Sequence, residues 1–303
     1  MAGTPLRWLV TGARGQLGTD VCRVLAAAGT APEDLLAVGS DELDITSPAA
    51  VQAMLGDFRP QVVLNAAAYT AVDQAETEED RAFAVNAGGA ALLAAAAARV
   101  EARLLHVSTD YVFAGEATEP YPVAAVPDPR SAYGRTKLAG ELAVRELAPE
   151  HGYVVRTAWV YGATGANFVK TMARLERSRD TIEVVDDQRG SPTWSADLAR
   201  GLVELAASSA RPGIYHCTGA GQTSWFGLAR AVFDELGADP ARVLATTTDK
   251  FPRPAPRPAY SVLSDQAWRA AGLSPLPHWR SALRQAFEEE RAAYLPADQG
   301  TPA

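Results

Sequence analysis

The sequence predicts an α/β protein: a doubly wound parallel Rossmann sheet followed by a smaller C-terminal α/β substrate domain. Three observations carry that prediction. Short apolar runs alternate with longer helical patterns through the first half, the signature of a parallel sheet covered by helices on both faces. Three glycines stand between the first apolar run and the first long helical pattern. After about residue 160 the alternation gives way to shorter elements and a proline-rich stretch. A chain of 303 residues accommodates one large or two modest domains, and by area scaling it can bury roughly three quarters of its unfolded surface.

Taken in order, strands are expected at 6–10, 35–39, 62–65, 104–108 and 153–158, with helices at 16–28, 48–58, 82–100 and 132–147 between them. Ser47-Pro48 marks a helix start, because serine caps exposed amides and proline at the first helical position loses no bond the helix would use. The unbroken apolar run Val62-Val63-Leu64 suits a central strand buried on both faces. Beyond residue 160 we expect a helix near 167–177, a strand near 182–185 and a turn-prone segment at 188–193. Residues 251–258 hold too many prolines for helix or central strand and read as an extended loop. This divides the chain into an NAD(P)-binding domain over 1–160, to which later strands and helices can return, a mainly substrate-binding part over 161–295, and a flexible tail at 296–303.

Composition narrows the function. Net charge is −8, which disfavours non-specific attraction to nucleic acid or to an anionic membrane. The most apolar helix, near 87–100, is mostly alanine and reads as too short to span a bilayer. The apolar run at the start is too brief for a signal-peptide core, so a cytoplasmic location is expected. Cys22 and Cys217 stand far apart, with no metal-type spacing to His106, His151, His216 or His278, and read as small core residues.

The glycine segment Gly12-Ala13-Arg14-Gly15-Gln16-Leu17-Gly18 sits where a strand meets a helix. Glycine there permits a tight turn and close backbone approach, and the helix N-terminus offers free amides and a positive dipole to a pyrophosphate. At the end of the second strand, Val38-Gly39-Ser40-Asp41 puts Ser40 where an NAD-type signature would have an acid. Ser40 leaves room for a 2′-phosphate and Arg14 is a cation to pair with it, so NADPH is expected ahead of NADH, with an ordinary surface arginine as the alternative reading. Asp44 and Ile45 stand where an adenine edge would rest, although Asp44 also reads as a turn residue. Tyr133 and Lys137 share one helix face at i, i+4 spacing. A lysine there can hold a nicotinamide ribose and make the phenol more acidic, turning Tyr133 into a proton donor. Thr109, at the C-terminal end of the fourth strand, is assigned to bond a substrate carbonyl and tune Tyr133, with Ser108 as its rival because successive strand residues point to opposite sides.

Together with Asn65-Ala66-Ala67-Ala68-Tyr69-Thr70, Ser108-Thr109-Asp110-Tyr111-Val112-Phe113, Arg156-Thr157-Ala158-Trp159, Asn167-Phe168-Val169-Lys170 and Asp187-Gln188-Arg189-Gly190-Ser191-Pro192-Thr193, these motifs resemble the dTDP-4-dehydrorhamnose reductase family of extended short-chain dehydrogenase/reductases, from about residue 6 to residue 291. The resemblance implies reduction of the 4-keto group of dTDP-4-dehydro-β-L-rhamnose to dTDP-β-L-rhamnose, by hydride from NAD(P)H and a proton from Tyr133. It implies that Gly15, Gln16 and Leu17 lie against the cofactor pyrophosphate and that Ala68, Tyr69, Thr70 and Val107 line the cofactor. Thr109, Asp110 and Trp159 are implied to face the sugar, although Trp159 also reads as core filler. Asn167, Lys170 and Arg257 are further candidates for the substrate, the last two for its diphosphate. Tyr111 stands where related 4,6-dehydratases need a carboxylate, which argues for hydride transfer without dehydration.

Some members of the family hold Mg²⁺ at a dimer contact through glutamates. Glu289 matches one such position, and Asp20 and Asp197 are shorter acids at two others. A homodimer and Mg²⁺ are therefore expectations carried by the resemblance alone. Two other functions are open at this stage: a 4-ketoreductase for another dTDP-sugar, and a non-catalytic NADP-binding regulatory subunit, against which the intact Thr109, Tyr133 and Lys137 argue.

Overall fold

The structure, a computed structural model, describes residues 6–295; the expected tail at 296–303 lies outside them. Its strands are β1 (Trp8–Thr11), β2 (Leu35–Val38), β3 (Val62–Asn65), β4 (Arg103–Thr109), β5 (Gly152–Thr157), β6 (Val160–Tyr161), β7 (Ile182–Val185), β8 (Arg189–Gly190), β9 (Thr193–Trp194), β10 (Gly213–His216), β11 (Thr223–Ser224) and β12 (Val243–Thr246). Its α-helices are α1 (Gln16–Ala27), α2 (Pro48–Phe58), α3 (Glu79–Phe83), α4 (Ala90–Arg99), α5 (Ala132–Leu147), α6 (Phe168–Ser178), α7 (Ser195–Ala207), α8 (Trp225–Leu236), α9 (Gln266–Ala270) and α10 (Trp279–Tyr294).

Six strands form one parallel sheet in the order β10-β5-β4-β3-β1-β2. Alternation along these strands feeds two cores. Trp8, Val10, Val62, Leu64 and Leu105 face α1, α7 and α9, whereas Leu9, Val63 and Leu104 face α2, α4 and α5. Ser47 does cap α2, accepting from the Ala50 amide. The sheet also recruits chain from well past residue 160. β10 is its edge strand, and α7 and Trp268 fill its first core. A third core, with Tyr161, Val169, Met172, Ile182, Leu228, Val232 and Phe287, makes the second domain.

The helix expected at 82–100 proves longer. Residues 79–99 are continuously helical, through α3, a π-helical stretch Ala84–Gly89 and α4. By length and composition that run could cross a membrane, so the expectation that it is too short fails. Ala90, Leu93, Ala94 and Ala97 are buried in the second core, which accounts for its apolarity. Residues 188–193, expected only as a turn, hold the short strands β8 and β9.

Register decides the site. Thr11, Asn65 and His106 are paired neighbours across β1, β3 and β4, and Thr109 pairs with Thr157 on β5. The functional words therefore end at one edge of the sheet, outside the carboxyl ends of the strands, where open α/β sheets bind ligands.

Candidate active site

A cleft of about 1120 Å³ opens along that edge. One end is the glycine turn. Gly12 has φ 69°, and a Cβ there would lie 2.7 Å from the Ala67 nitrogen, so only glycine fits between β1 and the loop after β3. A Cβ on Gly18 would lie 2.2 Å from the Gly12 carbonyl oxygen. Gly18 thus sets how closely α1 packs on the turn, and it does not line the cleft as expected, whereas Gly12, Arg14, Gly15, Gln16 and Leu17 do. Ser40, Asp44, Ile45, Ala68, Tyr69, Thr70 and Val107 continue the lining. Asp44 accepts from the Thr46 amide at 2.9 Å and the Thr46 hydroxyl at 2.7 Å, so it shapes its own turn as well. Arg14, expected to pair with a 2′-phosphate, lies at the cleft and is exposed, and its guanidinium pairs with Asp41 and, at 3.1 Å, with Glu42.

The other end holds the polar group expected to do chemistry. Ser131 caps α5 by accepting from the Gly134 amide at 3.1 Å, so the helix begins just before Tyr133. A Cβ on Gly134 would lie 2.2 Å from the Tyr111 carbonyl oxygen, and this close approach brings the Tyr133 and Tyr111 rings edge to face at 5.6 Å. Thr109 and Tyr133 both line the cleft, and Thr109 donates its hydroxyl to Asp110 Oδ1 at 3.0 Å. Ser108 points the other way, donating at 2.5 Å to Glu141, which pairs with Arg156 at 2.6 Å in a buried ion pair. The alternation of β4 thus separates the two hydroxyls: one faces the cleft, the other stabilises the interior.

Electrostatics at this end differ from the expectation in one respect. Burial pushes the Tyr133 phenol up to about 12, so the expected lowering towards neutrality by Lys137 is not found. Lys137 directs its Nζ to the Val107 carbonyl at 2.6 Å. Burial brings Lys137 itself down to about 8, and the Asp110 carboxyl is pushed up to about 6 by burial. Asp110 Oδ2 is a buried atom without a hydrogen-bond partner among the described residues.

Trp159 lines the cleft in the left-handed region, at φ 49°. Its ring stacks on Trp225 at 3.5 Å, with 6° between planes, and lies against Gly190, where a Cβ would meet Trp159 Cε2 at 2.3 Å. Three expected substrate residues stand elsewhere. Asn167 caps α6 and donates to Gln16 Oε1 at 2.9 Å and the Gly162 carbonyl at 2.8 Å, so its amide braces the two domains. Lys170 donates to the Ala163 carbonyl. Arg257 pairs with Asp73 at 2.8 Å, fastening the proline-rich loop to the segment after β3.

The Mg²⁺ expected at a dimer contact finds no support within a single chain. Among the described residues no group of three His, Cys, Asp or Glu side chains could hold a metal. Asp20 is engaged by Ser195 and Arg23, Asp197 by Arg200, and Glu289 by Gln285.

Sequence reasoning missed Trp225, Asp41 and Glu42 as partners of Arg14, Asp73, and the polar residues Asn65, Asn86 and His106 packed behind the cleft. Asn65 and His106 did carry a signal, the first closing the apolar run Val62-Val63-Leu64 and the second interrupting the apolar residues Leu104, Leu105 and Val107. Trp225 had none, since it reaches Trp159 only through the folding of the second domain.

A parallel sheet whose cleft has a glycine turn at one end and threonine, tyrosine and lysine at the other is the arrangement of an extended short-chain dehydrogenase/reductase. The comparisons with known proteins agree. Residues 6–292 match the family described as the RmlD substrate binding domain. A dTDP-4-dehydrorhamnose reductase of Streptomyces griseus is 53% identical over 285 residues, 93% of each chain. A dTDP-4-keto-6-deoxy-D-glucose reductase of Streptomyces niveus is 48% identical over 281 residues, 93% of this chain and 96% of its own. A crystal structure of the Bacillus anthracis dTDP-4-dehydrorhamnose reductase in complex with NADP superposes with TM-score 0.89 at 40% identity, covering 94% of this chain and 100% of its own. The chain belongs to the dTDP-4-dehydrorhamnose reductase family.

Proposed function

We propose that the chain reduces the 4-keto group of dTDP-4-dehydro-β-L-rhamnose to give dTDP-β-L-rhamnose, with NADPH as hydride donor. The observation that carries this reading is one continuous cleft with the glycine turn at one end and Thr109, Asp110, Tyr133 and Lys137 at the other. The residues present fit a dinucleotide, because Gly12, Gly15, Gln16 and Leu17 line the cleft at the start of α1 and the helix amides and dipole there favour a pyrophosphate. Ser40, Asp44 and Ile45 would hold the adenosine, and Lys137 the nicotinamide ribose. Bound NADPH would supply a hydride for the ketone carbon. The pairing of Arg14 with two carboxylates keeps NADH as the alternative donor, while the Bacillus anthracis complex supports NADP.

The chain's own residues account for the rest. Thr109 and Tyr133 would bind the ketone oxygen, Tyr133 giving it a proton as the alkoxide forms. Asp110 would accept from a sugar hydroxyl through Oδ2, its free buried oxygen. Trp159, backed by Trp225, would cover the pyranose and exclude water. The Streptomyces niveus relative supports a second reading, in which another dTDP-4-keto-6-deoxysugar is the substrate. Following NADPH oxidation with enzymatically prepared dTDP-4-dehydro-β-L-rhamnose, and identifying the sugar by NMR, tests both. Rapid turnover to dTDP-β-L-rhamnose is expected. A C4-epimeric product would move the assignment to the second reading, and NADPH binding without oxidation would leave a regulatory role.

A further inference from the structure

Behind the tyrosine–lysine couple, a chain of polar groups crosses three buried strand ends. Thr11 donates its hydroxyl to Asn65 Oδ1 at 2.8 Å, and the Ala67 backbone N–H donates to the same oxygen at 3.1 Å. A backbone N–H can only donate, so this oxygen is fixed and the Asn65 NH₂ group must face the other way. There it meets His106 Nδ1 at 3.0 Å. Nδ1 must therefore accept, and a neutral imidazole then carries its proton on Nε2. Nε2 lies 3.5 Å from Lys137 Nζ. His106 is 1% exposed and burial keeps it neutral.

The consequence is a mismatch for the charged lysine. An ammonium facing an Nε2–H puts donor against donor, whereas a neutral amine can accept that proton's hydrogen bond. The ammonium keeps the Val107 carbonyl, at 2.6 Å, as an acceptor. Of the other ionisable groups about Lys137, Tyr133 is on the same helix, and Glu141, one turn further on, favours the ammonium and so opposes the effect, although its carboxylate is engaged by Arg156 and Ser108. Asp110 reaches Tyr133 through space, not Lys137.

We propose that Asn65 and His106 are a positioning pair for Lys137: by fixing the imidazole as its Nε2–H form, they present a donor to the lysine and make its ammonium readier to give up a proton. This rests on the reductase reading above and deepens it. In the reaction, Tyr133 loses its O–H proton to the ketone oxygen as hydride reaches the carbonyl carbon. The Lys137 ammonium would then return a proton to the tyrosinate through a bridging hydroxyl or water, leaving an amine that accepts from His106, and solvent would reprotonate the amine. Neither Asn65 nor His106 needs to touch substrate.

The chain has only three lysines and 4 histidines, so both sites can be read directly by NMR in the whole protein. With ¹⁵N-labelled histidine, His106, assigned through His106→Asn, is expected to show a protonated Nε2 and an unprotonated Nδ1. The reverse tautomer overturns the proposal without any variant having to fold. Asn65→Asp then replaces the donor by a carboxylate that accepts from Nδ1–H, turning the Nε2 lone pair towards Lys137. The titration midpoint of ¹³Cε-labelled Lys137, assigned through Lys137→Met, is expected to rise by about one pH unit or more, and the alkaline limb of kcat with it. An unmoved midpoint in a folded Asn65→Asp protein also overturns the proposal. A midpoint that moves while the rate profile stays upholds the pair and faults instead the proton-transfer role given to Lys137.

Discussion

Tyr133 and Asp110 are each set by burial, but with different consequences. Tyr133 stays protonated through the whole working range, as a proton donor to a ketone must. Tyr133→Phe is expected to lower kcat by about 10²–10⁴-fold while leaving NADPH affinity within a few fold, measured by turnover and by fluorescence titration. Asp110 is raised to about 6, so the folded protein holds its proton more tightly than the unfolded chain. Its contribution is therefore most favourable below the ordinary carboxylate range and is lost as pH rises through about 6. Asp110→Asn is expected to be the more stable protein at pH 7–8 by about 1–3 kcal/mol, with the gap closing towards pH 4, in urea titrations across that range. The same variant should raise KM for the sugar nucleotide, since the carboxylate oxygen left free for a hydroxyl is gone.

At the scale of elements, the joint between β1 and α1 is the least forgiving part of the fold. Gly18→Ala places a methyl carbon 2.2 Å from the Gly12 carbonyl oxygen, and neither backbone can yield without moving the turn. A stability loss of about 1–3 kcal/mol is expected, together with at least tenfold weaker NADPH binding, by thermal denaturation and titration. A Gly29→Ala control, at a glycine with φ 84° but nothing within 4 Å, should lose stability without losing cofactor affinity. The start of α5 is fixed by similar means. The Ser131 cap and the close approach of Gly134 to Tyr111 hold the Tyr133 end of the helix against the end of β4. The Tyr-x-x-x-Lys spacing was legible as one helix face, but the direction of the Lys137 ammonium was not. That depended on which carbonyl of β4 came within reach, a matter of packing and not of spacing.

Over the whole molecule, the two domains are joined by contacts that also shape the cleft: Asn167 with Gln16, Asp73 with Arg257, and Trp159 with Trp225. Arg257→Met removes the ion pair holding the proline-rich loop to the segment after β3. It is expected to raise KM for the sugar nucleotide by about tenfold, as loss of a half-buried pair worth about 1–2 kcal/mol would, with little change in NADPH affinity. The acids proposed by resemblance for Mg²⁺ are already held by Ser195, Arg23, Arg200 and Gln285. Treatment with a chelator is accordingly expected to leave turnover and elution volume unchanged, and a loss of activity restored by Mg²⁺ would contradict this.

The sequence by itself determined the order of the parallel strands' elements, the glycine turn and the tyrosine–lysine face, because each rests on local periodicity, local sterics or fixed i, i+4 geometry. It also narrowed the hydroxyl at the end of the fourth strand to Thr109 or Ser108, since strand alternation left only two choices, and the fold engages Ser108 with Glu141. Tertiary structure alone decided the rest. Asn167 and Lys170 are polar residues whose sequence positions allow a ligand, but folding brought carbonyls to them first. The return of β10 and α7 to the first domain, the seating of Trp225 on Trp159 and the meeting of Asn65, His106 and Lys137 all join segments far apart in the chain. Such meetings follow from which surfaces bury together, and no local pattern encodes that.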